Sequence, residues 1–187
     1  MSPSALRNRD ELIAHIAEDN KVEYLFFWGH TATNNNKTGV GKECLSQWYP
    51  AGFDNDGIHY PTAEHYMMAE KARLFNDKQA LEKILVANDP NDAKELGRTV
   101  KGYQEALWKK HRVDIVVRGN QAKFSQNEKL KTFLKTTGDK VLVEASPHDK
   151  IWGIGLEQSH PDASNPAKWR GLNLLGFGLM KVRSHSL

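Results

Sequence analysis

The sequence predicts an α+β protein: a compact, predominantly helical single domain with a few short strands. Three observations carry that reading. Apolar residues recur at helical spacing through most of the stretch from Thr62 to Gly138. Runs with strand character are few and short, chiefly "VEYLFFWG" at 22–29 and "VLVEAS" at 141–146. No repeat, linker or shift of composition divides the 187 residues, a length at which one domain buries a sizeable core.

Taken in order, "PSALRNRDELIAHIAEDNK" places Leu6, Leu12, Ile13 and Ile16 on one helical face, an amphipathic N-terminal helix within residues 1–21. The strand "VEYLFFWG" ends at Gly29 and gives way to "HTATNNNKTGVGKE", a polar loop of about fourteen residues and of a length usually kept for function. "CLSQWYPAGFDNDGIHYP" reads as two extended segments around an Asn55-Asp56-Gly57 turn. At Thr62 the period changes, with Thr62 as N-cap and Pro61 outside the helix. "DKQALEKILVA" and "DPNDAKELGRTV" continue as helices, the second opened by Asp89 and Pro90. A long amphipathic helix follows from Tyr103, then a shorter one that stops at Gly138. The "VLVEAS" strand, a glycine-punctuated loop and a last apolar segment, "WRGLNLLGFGLMKVRSH", complete the chain.

Composition narrows the function classes. The balance of 26 basic and 23 acidic residues is a mild +3, which permits an anionic ligand without demanding one. No apolar run approaches the ~20 residues of a membrane span, and the charged N-terminus lacks a signal-peptide core, so a soluble, cytoplasmic protein is expected. The lone cysteine, Cys44, forms no internal disulfide and reads as apolar filler. The eight scattered histidines lack metal-binding spacing, so no metal site is expected.

Four clusters carry candidate chemistry. On the helix after Thr62, residues Glu64, Met67, Met68, Lys71, Leu74 and Phe75 share a face, an apolar stripe bounded by one acid and one amine. Glu64 and Lys71 are two turns apart, roughly 10 Å along the axis. Taken alone, this is a carboxylate at the positive end of a helix and a lysine that snorkels. "VLVEASPHDKIWGIGL" places Asp149 and Trp152 beside Gly153 and Gly155, a flat indole next to accessible backbone. "RGNQAKFSQN" groups Arg118, Asn120, Gln121 and Lys123, and "KWRGLNLLG" groups Trp169, Arg170, Gly171 and Asn173. Each of the last two alone reads as a polar surface turn.

Together, "SQWYPAGFDNDGIHYPTAEHYMMAEKA", "AKFSQNEKLKTFLKTTGDKVLVEASPHDKIWGIGL" and "WRGLNLLGFGLMKVR" resemble the NADAR family, also called YbiA-like. The resemblance runs from about Leu25 to Arg183, within a family core at 22–187. It rests on Thr-x-Glu-His-Tyr, Lys-Ala and Glu-Ala-Ser-Pro-x-Asp-x-x-Trp-Gly-x-Gly in that order.

The resemblance implies a YbiA-like α+β fold, no metal or organic cofactor, and N-glycosidase chemistry on a ribose joined to a nitrogenous base. Two substrate classes follow. One is ADP-ribose on guanine bases in DNA, with the enzyme as antitoxin to a DarT-type ADP-ribosyltransferase; the Lys109–Arg112 run suits single-stranded DNA. The other is a phosphoribosyl-aminopyrimidine intermediate of riboflavin synthesis. A module that binds ADP-ribose without cleaving it is the non-enzymatic alternative.

By resemblance, Glu64, Lys71 and Asp149 form the catalytic set, and Trp28, Gly29, Ser46, Trp48 and Trp152 line the ligand. Gly153, Asn173, Arg118 and Lys123 are expected beside them, with the two cations and Arg170 meeting phosphates. Gln47 departs from the family's usual Ser-Asn-Phe, where this chain has Ser46-Gln47-Trp48. Physically, an unprotonated Lys71 can attack the anomeric carbon, but Glu64 nearby favours its ammonium form.

Overall fold

The computed structural model describes residues 2–31 and 39–185. Most of the Asn-rich loop, residues 32–38, lies outside the described residues. The chain forms two compact units, one of residues 1–46 and 129–187 and the other of residues 47–128.

The first unit is built on a two-stranded parallel sheet. Strand β1 (Tyr24–Phe27) pairs with β4 (Val141–Glu144), in the register Tyr24↔Val141 to Phe27↔Glu144. Val141, Leu142 and Val143 are wholly buried, as a β-branched, apolar run between covered faces should be. The last apolar segment is helix α7 (Leu174–Ser184), which packs on β4. A Cβ on Gly176 would stand 2.0 Å from the Leu142 carbonyl oxygen, so the helix reaches the strand only because that side chain is absent. Helix α1 (Arg9–Ala17) is capped by Asn8, whose side chain accepts from the Glu11 N–H. Arg9 ties α1 to the far end of the unit by donating to the Trp169 carbonyl at 3.2 Å. Helix α6 (Glu128–Thr136) precedes β4.

The second unit opens with a hairpin, β2 (Phe53–Asn55) and β3 (Ile58–Tyr60), closed by Asp56 and Gly57 at φ of 50° and 75°. Two successive left-handed residues are the geometry that an Asp-Gly turn favours. Helix α2 (Ala63–Leu74) is the hub of the unit, packed by α3 (Lys78–Leu85), α4 (Pro90–Arg98) and α5 (Glu105–Gln126). Every residue from Ala63 to Ala69 is buried, so α2 is covered all round rather than along one stripe. Glu70 and Arg73 are partly covered and ion-paired at 2.5 Å, and Arg73 also donates to the Tyr60 hydroxyl at 2.8 Å.

Start signals at the helices are where local chemistry places them. Thr62 caps α2, Asp77 caps α3, and Asp89 with Pro90 opens α4. The two extended segments expected around the Asn55-Asp56-Gly57 turn are the β2–β3 hairpin, and Lys42–Leu45 ahead of it is a 3-10 turn with Cys44 and Leu45 buried. Among the described residues no helix is long and apolar enough to cross a membrane.

Candidate active site

In the second unit the chemistry gathers around α2. Thr62 fixes the start of the helix: its hydroxyl accepts from the His65 N–H at 3.2 Å and meets His65 Nδ1 at 2.8 Å. His65 Nε2 lies 3.0 Å from the Ala87 carbonyl, which only accepts, so Nε2 donates there. The buried histidine thus ties the first turn of α2 to the chain just after α3.

Glu64 is 5% exposed. Its backbone N–H donates to the Gln47 carbonyl at 3.0 Å, which joins the first turn of α2 to the segment before the hairpin. Gln47 is itself buried, and its side-chain oxygen accepts from Asn120 on α5 at 2.7 Å. The residue that departs from the family pattern therefore works as a brace between α2 and α5. Its Nε2 is a buried donor without a hydrogen-bond acceptor among the described residues.

Two turns on, the Lys71 ammonium nitrogen stands 4.8 Å from the Tyr103 ring centroid and 5.6 Å from that of Trp108. Trp108 is buried, whereas Tyr103 is 46% exposed. Burial pushes the Lys71 pKa below the ordinary lysine value; Glu64 opposes that shift and Arg98 adds to it. Sequence alone shows two opposed influences, the apolar stripe that desolvates the amine and the carboxylate of Glu64. The aromatic walls and the second cation come from α4, α5 and the loop between them, and they decide the direction. Trp48 lies at the same unit's rim with Lys94 Nζ 5.7 Å from its ring. Arg98, Tyr103, Trp108 and Lys94 were not among the expected site residues. The available signal was a cation one helical turn after Lys94 and two aromatics just beyond it.

Two expected phosphate ligands in this unit have other duties. Lys123 is wholly buried, its ammonium 5.8 Å from the Tyr49 ring and 5.2 Å from that of Phe124. Arg118 pairs with Glu70 at 3.3 Å, and its hydrogen bond to Tyr66, with Glu70 beside it, holds its pKa above the ordinary value. In the "Lys109–Arg112" run, Lys109 is paired with Glu105 at 2.8 Å and Arg112 is buried, so the run does not form a continuous basic surface.

The first unit holds the remaining expected residues. Asp149 Oδ1 accepts from the backbone N–H groups of Ile151 and Trp152, both at 2.8 Å, a local turn that positions the indole. Ser146 Oγ in turn accepts from the Asp149 N–H at 3.2 Å. Gly153, expected to let a ligand approach the backbone, faces protein instead: a Cβ there would stand 2.8 Å from the Glu144 carbonyl oxygen. Asn173, expected against the ligand, is wholly buried. Its Oδ1 accepts from the Glu144 N–H at 3.0 Å and its Nδ2 donates to the Leu142 carbonyl at 2.9 Å. Its side chain satisfies two backbone groups of strand β4. Ser46 is buried at the end of this unit.

Trp28, 57% exposed, lies edge-on to His148 with centroids 6.3 Å apart. It borders a cavity of about 540 Å³ whose walls include Phe27, Lys42, Glu43, Ala145 and Glu157. Gly29 follows at φ 80° with open space where a Cβ would stand. Among the described residues no group of three or more His, Cys, Asp or Glu side chains is placed to hold a metal ion.

One helix thus carries a buried carboxylate, Glu64, and a half-buried amine of lowered pKa, Lys71. Residues 26–185 match the model of the NADAR domain, and the chain belongs to the NADAR family. It is 44% identical over 169 residues to "N-glycosidase R617" of Acanthamoeba polyphaga mimivirus, a match covering 88% of this chain and 96% of that one. It is 37% identical over 141 residues to "Riboflavin biosynthesis protein PYRR, chloroplastic" of Zea mays, which covers 72% of this chain and 21% of that protein. The NMR structure of the E. coli protein YbiA aligns with a TM-score of 0.63 at 24% identity, over 90% of this chain and 93% of that one, and shows the same fold. The kinship makes the chain an enzyme of the N-glycosidase class.

Proposed function

We propose that the chain is a ribosyl N-glycosidase whose reaction is carried by Lys71 and Glu64, and that its substrate is ADP-ribose joined to a guanine base in DNA. The observation that supports this most is the lowered pKa of an amine held between Tyr103 and Trp108. A lysine is a nucleophile only when neutral, and desolvation favours that state. Neutral Lys71 attacks the anomeric carbon. The carbon–nitrogen bond to the base breaks with its electron pair going to the base nitrogen, which takes up a proton. The ring oxygen then leaves, and the resulting Schiff base is hydrolysed by water, which returns the amine. Glu64, buried and acidic, stabilises positive charge at the anomeric carbon and carries the proton between steps.

In the first unit, one turn sets both the Asp149 carboxylate, suited to ordering hydroxyls or water, and the Trp152 indole. Trp28 and its cavity are suited to a planar ring of the ligand. In this reading the enzyme reverses a DarT-type modification of single-stranded DNA and acts as its antitoxin. A second reading, cleavage of a phosphoribosyl-aminopyrimidine, is favoured by the riboflavin-biosynthesis name of the maize relative. A side-by-side assay on ADP-ribosylated single-stranded DNA and on that intermediate tests the pair. Released ADP-ribose from DNA, lost in Lys71→Ala, is expected; turnover of the aminopyrimidine alone transfers the assignment to the second reading.

A further inference from the structure

We propose that Lys94 and Arg98 on α4 form a phosphate-binding subsite beside Lys71 in the second unit. The inference rests on the N-glycosidase reading and extends it to how a phosphorylated ribose is held.

Residues 94, 97 and 98 share one face of α4 by helical spacing. Gly97 presses that face onto α2: a Cβ there would stand 2.0 Å from the Met68 sulfur, one turn before Lys71. The absence of a side chain at 97 therefore brings Lys94 and Arg98 to the side of α2 that carries the amine. Lys94 reaches over Trp48, and Arg98 is near enough for its charge to act on Lys71.

Two cations on one helix face suit an anion, and the carboxylate that pairs with Arg98 is Glu95. Glu95 meets Arg98 at 2.7 Å, but both side chains are more than half exposed, and such pairs are weak and readily exchanged for a better acceptor. A guanidinium presents five donors in a fork matched to phosphate oxygens, and Lys94 adds a point charge. Lys123 and Arg118, the cations expected for this task in the same unit, are respectively buried and held by Glu70. A phosphate held beside Lys71 places the attached ribose near the amine.

Calorimetric titration of the full chain with ribose, ribose 5-phosphate and ADP-ribose tests this without turnover, so it stands or falls apart from the catalytic reading. The wild type should bind one of the phosphorylated sugars at least about tenfold more tightly than ribose, the advantage of one well-made charged contact. The double variant Lys94→Gln/Arg98→Gln should retain less than about a third of that advantage, with an unchanged circular dichroism spectrum. An advantage for ribose 5-phosphate assigns the subsite to a monoester, and one for ADP-ribose alone assigns it to a diphosphate. A wild type indifferent to phosphate, or a double variant that keeps the full advantage, overturns the proposal.

Discussion

Replacing Asn173 with alanine should destabilise the first unit far more than it affects a ligand contact. The side chain serves two backbone groups of β4, the Glu144 N–H at 3.0 Å and the Leu142 carbonyl at 2.9 Å, and it is wholly buried. Leaving a buried partner unsatisfied costs about 1–3 kcal/mol for each group. Asn173 also sits at φ 53°, a left-handed conformation that costs alanine roughly 1 kcal/mol more. The sum is about 3–7 kcal/mol, a large part of the ~5–15 kcal/mol that holds a typical domain. Urea unfolding of wild type, Asn173→Ala and Asn173→Gly separates the contributions. Glycine should recover about 1 kcal/mol of the alanine loss, because it relieves the backbone strain and not the lost hydrogen bonds. An alanine variant within 1 kcal/mol of wild type but with a greatly raised KM would refute the reasoning and return Asn173 to the substrate.

Gly97→Ala should lower stability by about 1–2 kcal/mol despite the better helix propensity of alanine, because the new methyl must displace Met68; a variant as stable as wild type in thermal melts would show that α4 does not depend on that contact. The rate should rise with pH through the lowered Lys71 pKa, since the neutral amine is the nucleophile. Arg98→Gln removes a cation that favours the neutral form, so the rising limb should move to higher pH. Residual activity of Glu64→Gln should move the limb the other way, because its carboxylate favours the ammonium form. Two shifts of the same sign in pH–rate profiles contradict the assignment. Stability follows the same amine: between its folded and unfolded pKa values the unfolded chain holds the extra proton, so this contribution rises with pH across that window.

Features governed by neighbouring residues were legible in the sequence. Thr62, Asp89-Pro90 and Asp56-Gly57 act on atoms within three residues, and each cap or turn stands where its chemistry places it. Features governed by distant partners were not. The amide of Asn173 bonds residues 29 and 31 positions away, and a polar residue in a glycine-rich turn gives no sign of that. Lys123 reads as a surface cation until Tyr49, from the segment before the hairpin, covers it. At the candidate site, Glu64 and Lys71 could be placed on one helix from spacing alone. The direction of the lysine's pKa could not, because the burial and the Arg98 charge that set it arrive from α4 and α5.

The most direct test of the central claim is reduction with borohydride during turnover, followed by mass spectrometry of the digested chain. The account predicts a ribose-derived adduct on the peptide that carries Lys71, and none in Lys71→Arg. Normal turnover with no trapped adduct, or near-normal turnover by Lys71→Ala, would contradict it.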